Sequence, residues 1–72
     1  MIVVVNEQKV EVDEQITVAA LLESLGFPDR GIAVALDLSV LPRSDWATRV
    51  SELSRPPGTQ VRLEVVTAVQ GG

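Results

Sequence analysis

The sequence has no cysteine, no histidine and no tyrosine, and one each of tryptophan and phenylalanine, among 72 residues. Without Cys or His it has no disulfide, no thiolate or imidazole metal site, no Cys nucleophile and no Ser-His-Asp triad. A chain this short makes one domain and buries only about 60% of the surface its unfolded form exposes, so the apolar core must do the work that disulfides or metals often do. Long hydrophobic runs are missing too. The apolar stretches are a few residues each, against roughly 18 for a membrane span, and 46% hydrophobic with 22% charged residues suits a soluble globular domain. No charged, apolar and small-residue leader is evident, which predicts a cytoplasmic location.

Positive charge is also scarce. Six Lys and Arg stand against ten Asp and Glu, a net charge of −4, and Lys9 is the single lysine. No basic cluster exists to release counterions from a phosphate backbone, so nucleic acid is not an expected partner. An acidic surface serves solubility, or meets a protein with a positive patch.

What is present is periodicity. Met1 to Val5 is a β-branched run ending at a polar break, Asn6-Glu7-Gln8, and reads as a strand buried on both faces. Lys9 to Asp13 alternates, with Val10 and Val12 on one face, and completes a hairpin. Thr17 is placed to cap a helix whose Val18, Leu21, Leu22 and Leu25 recur at i, i+3, i+4 and i+7, and Gly26 and Pro28 end it. Ile32 to Leu36 alternates again, Ile32, Val34 and Leu36 opposite Ala33 and Ala35. Asp37-Leu38-Ser39 turns it, and Val40-Leu41 returns until Pro42. Ser44 is expected to cap a short helical turn around Trp46, a packing anchor. Ser51 to Thr59, with Arg55-Pro56-Pro57-Gly58, reads as a loop. Gln60 to Thr67 is the last strand, with Val61, Leu63 and Val65 on the core side and Val66 interrupting the polar side. The prediction is an α+β domain over residues 1–67, a mixed sheet of four to five strands with one main helix on one face. Its first and last strands should be central, adjacent and parallel. Residues 68–72 carry no strand or helix signal and read as a flexible tail.

Chemistry within the chain would have to come from carboxylates. The pairs Asp13/Glu14 and Asp37/Asp45 fall in turns or on open strand faces, not in the desolvated pocket a general acid needs, and 72 residues do not easily fold around both a core and a substrate cavity. Gly71-Gly72 cannot cradle a phosphate, because no helix follows it. At a glycine frequency of about 7%, a chance Gly-Gly ending occurs about once in 200 proteins. Its physical use is access. Glycine lacks a Cβ, so a tail of about four or five residues can thread a narrow cleft and present an unhindered carboxyl about 13 to 18 Å from the last strand.

Two stretches carry a family resemblance. Val34-Ala35-Leu36-Asp37-Leu38-Ser39-Val40-Leu41-Pro42-Arg43-Ser44-Asp45-Trp46 resembles the strand, turn and V-P-R-S-x-W segment of the ThiS family of sulfur carriers, and Val65-Val66-Thr67-Ala68-Val69-Gln70-Gly71-Gly72 resembles their V-T-A-V-Q-G-G ending. The resemblance covers nearly the whole chain and implies a ubiquitin-like β-grasp fold. It also implies a carrier, not an enzyme. A ubiquitin-activating-type (ThiF-like) enzyme would spend ATP to adenylate Gly72, a sulfur donor protein would convert the adenylate to a thiocarboxylate, and a ThiG-like thiazole synthase would take the sulfur. The chain itself would bind no cofactor. Gly71, Gln70 and Val69 would thread the partner's active site, and Val66, Arg43, Ile2 and Val4 are candidate partner contacts. A bland reading gives Arg43 to solvent and buries Val66 under the connector. Rival readings are a molybdopterin synthase small subunit or other thiocarboxylate carrier, a ubiquitin-like modifier, and a binding module with an accidental glycine ending. Three features depart from the family: Asp37-Leu38 stands where Asn-Gly is common, which predicts a different turn type; the connector from Val50 to Gln60 is long; and Thr59 replaces an acidic residue.

Overall fold

The structure, a computed structural model, describes residues 1–67. The expected tail at 68–72, with Val69, Gln70, Gly71 and Gly72, lies outside the described residues. Five strands, β1 (Ile2–Val5), β2 (Gln8–Glu11), β3 (Ile32–Leu36), β4 (Ser39–Leu41) and β5 (Arg62–Thr67), and one helix, α1 (Val18–Ser24), follow the expected order. The sheet order is β2-β1-β5-β3-β4. β5 is the central strand and runs parallel to β1, with Val4 beside Arg62 and Val5 beside Leu63, and antiparallel to β3. The two most apolar strands thus lie together as the sequence pattern requires.

A seven-residue helix does not stand alone in water, and α1 is held at both ends. At its start the Thr17 Oγ1 accepts the Ala20 N–H at 3.1 Å, while the Val18 and Ala19 N–H groups donate to the Thr48 and Trp46 carbonyls at 3.0 and 2.9 Å. Three of the four amides a helix leaves free are thereby paired. At its end Gly26 takes φ 87°, and the Gly26 and Phe27 amides return to the Glu23 and Leu22 carbonyls, a Schellman closure. Val18, Leu21 and Leu22 press into the core against Val3, Val34 and Leu63. Full burial of a leucine such as Leu21 is worth about 1.5–3 kcal/mol. Leu25, expected on the same stripe, is exposed instead, because it is the C-cap where the chain begins to turn away.

Three further expectations are corrected. Ser44 does not cap the short turn: a 3-10 turn spans Arg43–Asp45 with Pro42 at its N-cap and no side-chain cap bond. Proline's fixed φ already sets the entry, and the Asp45 and Trp46 amides close back on Pro42 and Arg43. The connector is not all loop. A second 3-10 turn at Val50–Leu53 buries Val50 completely and bonds the Val50 amide to the Ile16 carbonyl, so it is pinned beside the start of α1. Finally, β1 is covered on both faces only in part, since Ile2 is half exposed. Trp46 is the buried anchor expected of it, its Nε1–H donating to the Leu41 carbonyl at 3.2 Å.

Candidate functional site

The described chain ends at Thr67, paired with Ile32, and the surface around that point decides what a partner reaching residues 68–72 would meet. Alternation along β5 sends Leu63 and Val65 to the helix side and Arg62, Glu64 and Val66 to the open side. Val66 is 61% exposed, so the long connector does not cover it. Its cross-strand neighbour is Ala33, also exposed; Ala35, two residues on, pairs with Val40 of β4, which is 75% exposed. Beyond Val40 the hairpin tip carries Leu38, 98% exposed. Val66, Ala33, Ala35, Val40 and Leu38 therefore form an apolar stripe, roughly 15 Å long at about 3.3 Å per residue, from beside Thr67 to the tip of the β3–β4 hairpin.

Ile2 and Val4 do not join this stripe. In the parallel register Ile2 falls level with residue 60, roughly 20 Å from Val66 at about 3.3 Å per residue. Val4 is 5% exposed, between Lys9 and Arg62, whose long stems suit an apolar neighbour. The open face is thus divided. Lys9 and Glu11 of β2 and Arg62 and Glu64 of β5 charge it around half-exposed Ile2, and its β3–β4 side is apolar.

Arg43 is not a free solvated charge. Its guanidinium lies over the Trp46 ring, 5.0 Å from the centroid, and donates to the Asp29 carbonyl. It ties the exit of β4 to the loop after α1, at the same end of the sheet as Thr67, and lines an open groove with Phe27, Pro28 and Trp46. The hairpin that carries Leu38 has the altered geometry its sequence requires. Asp37 takes the positive φ, 56°, and Leu38 does not, so the side chain that tolerates a left-handed backbone occupies the strained position.

The ThiS family model matches residues 2–72. The chain belongs to the ThiS family. It is a sulfur carrier of the ubiquitin-like type with a β-grasp fold, a small carrier and not an enzyme, and carriers of this family work with adenylating enzymes and sulfur-transfer partners. No curated protein matches the chain. Among the described residues no helix is long and apolar enough to cross a membrane.

The sequence had pointed to Val66 but not to Ala33, Val40 or Leu38 as its company. The outward alternation of Ala33 and Ala35 was a usable signal for one row; the register that sets Val66 beside it was not.

Proposed function

We propose that this chain carries sulfur for thiamin thiazole formation, with the carboxyl of Gly72 as the reacting group. A carboxylate is a poor electrophile, so it must first be activated. One of its oxygens attacks the α-phosphorus of ATP in a ubiquitin-activating-type enzyme, and pyrophosphate leaves. Hydrosulfide released by a donor protein then attacks the acyl carbon, AMP leaves with the bonding pair, and a thiocarboxylate remains. Thiazole synthase takes that sulfur into its product, an oxygen from water or from the sulfur-accepting carbonyl replaces it on the acyl carbon, and the carboxylate is restored. ATP belongs to the partner, and this chain contributes recognition and position.

The observation that supports this reading is the exposed apolar stripe that ends at Val66, one residue, Thr67, before the Ala68-Val69-Gln70-Gly71-Gly72 segment. Five residues span at most about 17 Å. A partner that captures Gly72 must therefore rest against the surface near Thr67, and Val66 with Ala33 is the apolar part of it. Contiguous apolar surface of this kind marks a protein contact.

The test is the intact mass of the full chain after incubation with ATP, a ubiquitin-activating-type enzyme and a sulfur source. The expected result is a gain equal to exchanging one oxygen for one sulfur, absent when Gly72 is deleted, followed by loss of that sulfur to thiazole synthase. No adenylate and no thiocarboxylate with the cognate activating enzyme would reject the carrier chemistry. Transfer to a molybdopterin precursor, or an isopeptide conjugate stable to denaturant and reductant, would instead support the corresponding rival reading.

A further inference from the structure

We infer that Asn6 is a positioning residue for the C-terminal segment, its side-chain amide acting as the missing last carbonyl of strand β1. β5 is bounded unequally. On the β3 side its ladder continues to Thr67, opposite Ile32, whereas on the β1 side pairing ends at Val5 and Leu63 because the chain reverses at Asn6 and Glu7, with φ 51° and 68°. The N–H and C=O groups of β5 that face β1 belong to residues 61, 63 and 65. Val4 donates to the Val61 carbonyl at 2.9 Å and Asn6 to the Leu63 carbonyl at 3.0 Å. In a continuing parallel ladder the Val65 N–H would next donate to the main-chain carbonyl of residue 6. The left-handed backbone of Asn6 belongs to the turn instead, and the Val65 N–H donates to Asn6 Oδ1 at 2.8 Å.

Asn6 therefore meets two requirements that, among the common turn residues, only Asn and Asp meet together. Glycine accepts the positive φ but has no acceptor; Ser and Thr carry an acceptor on a shorter arm and resist the backbone; Asn, and Asp after it, satisfy both. Because an amide N–H is the donor, the orientation of the Asn6 side chain is fixed by chemistry, with its oxygen toward β5. The bond joins positions 59 residues apart, and its β5 end lies one residue before Val66 and two before the last paired residue. It decides whether the end of β5 is held on two sides or on one. The bond thus fixes the end of β5 from which the segment toward Gly72 departs, and misplacement of a reacting atom by about 1 Å can cost up to about a hundredfold in rate. The inference rests on the reading of Gly72 as the reacting end.

The test uses the full chain with Asn6→Gly, which keeps the turn and removes the acceptor, and Asn6→Asp, which keeps both. In Asn6→Gly the Val65 amide exchanges at least about tenfold faster by NMR, and ATP-dependent adenylation loses about fivefold in kcat with KM for the carrier unchanged. Asn6→Asp restores both to within about twofold of the parent. Parental kcat in Asn6→Gly, a loss confined to KM, or an Asn6→Asp variant as slow as Asn6→Gly would overturn the positioning role. If the parent chain itself is not adenylated, the reading of Gly72 fails and the positioning role falls with it. Val65 exchange would then still report whether Asn6 closes the ladder, which separates the two failures.

Discussion

Val65 and Val66 are the same residue one position apart, and the fold uses them oppositely. Val65 is 8% exposed and belongs to the cluster under α1; Val66 is 61% exposed on the other face of the same strand. The contrast extends to the two faces of the sheet. The inner face is apolar and covered by the helix and the second 3-10 turn. The outer face is apolar on one side only, along Val66, Ala33, Ala35 and Val40, and there nothing in the described chain covers it. Hydrophobic residues in a small domain are scarce stabilising material, and a chain with no disulfide has little to spare. Leaving them outside, in a row that leads to Thr67, is explicable as a surface held for a partner.

The sharpest way to break that contrast is to place the same charge at each position. Val65→Asp puts a carboxylate among apolar side chains without a partner and is expected to cost about 4 kcal/mol or more. A domain of this size has roughly 4 to 11 kcal/mol in total, so urea denaturation should show the variant largely unfolded or close to it. Val66→Asp should leave the midpoint within about 0.5 kcal/mol of the parent, since it changes an exposed side chain. Equal losses from the two would mean that Val66 is covered in solution. On the functional side the order reverses. Val66→Asp is expected to raise KM for the activating enzyme about tenfold, equivalent to about 1.4 kcal/mol of lost contact, with kcat for the bound complex little changed. An unchanged KM would remove Val66 from the docking surface.

Much of this arrangement is legible in the sequence where the signal is local. Thr17, the Val18-Leu21-Leu22 spacing and Gly26 specify α1 because capping and periodicity act within one or two turns of chain. β3 is found at its observed bounds, Ile32–Leu36, because alternation with small residues on one side leaves one reading. What escapes is set by distant partners. Val66 breaks the polar pattern of its strand, but its neighbour depends on the register of β3 against β5, so the sequence offers Ile2 and Val4 as its company and not Ala33. The ordered part of the connector escapes for the same reason: Val50 has no local periodicity and is buried because Ile16 offers its amide a carbonyl. Asn6 reads as a turn residue, which it is. Its second role depends on Val65, at the other end of the chain.

Leu38 gives the smallest effect and the finest division of the stripe. It stands at the hairpin tip in contact with almost nothing, 98% exposed, at the end of the stripe away from Thr67. Leu38→Ser therefore removes no core contact and should change stability by less than about 0.5 kcal/mol. A partner that grips only the surface at Val66 and Thr67 would not sense the change, whereas one that lies along the whole stripe would lose a leucine contact at its rim. Rim contacts are worth far less than central ones, so the expected outcome is a rise in KM of about threefold, against about tenfold for Val66→Asp. Combining the two substitutions tests whether they act on one surface. Side chains separated by roughly 15 Å along a rigid sheet should contribute additively, and the double variant should show about thirtyfold. An unaltered KM in Leu38→Ser would confine the partner to the end of the sheet at Val66 and Ala33, and leave the hairpin tip outside its footprint.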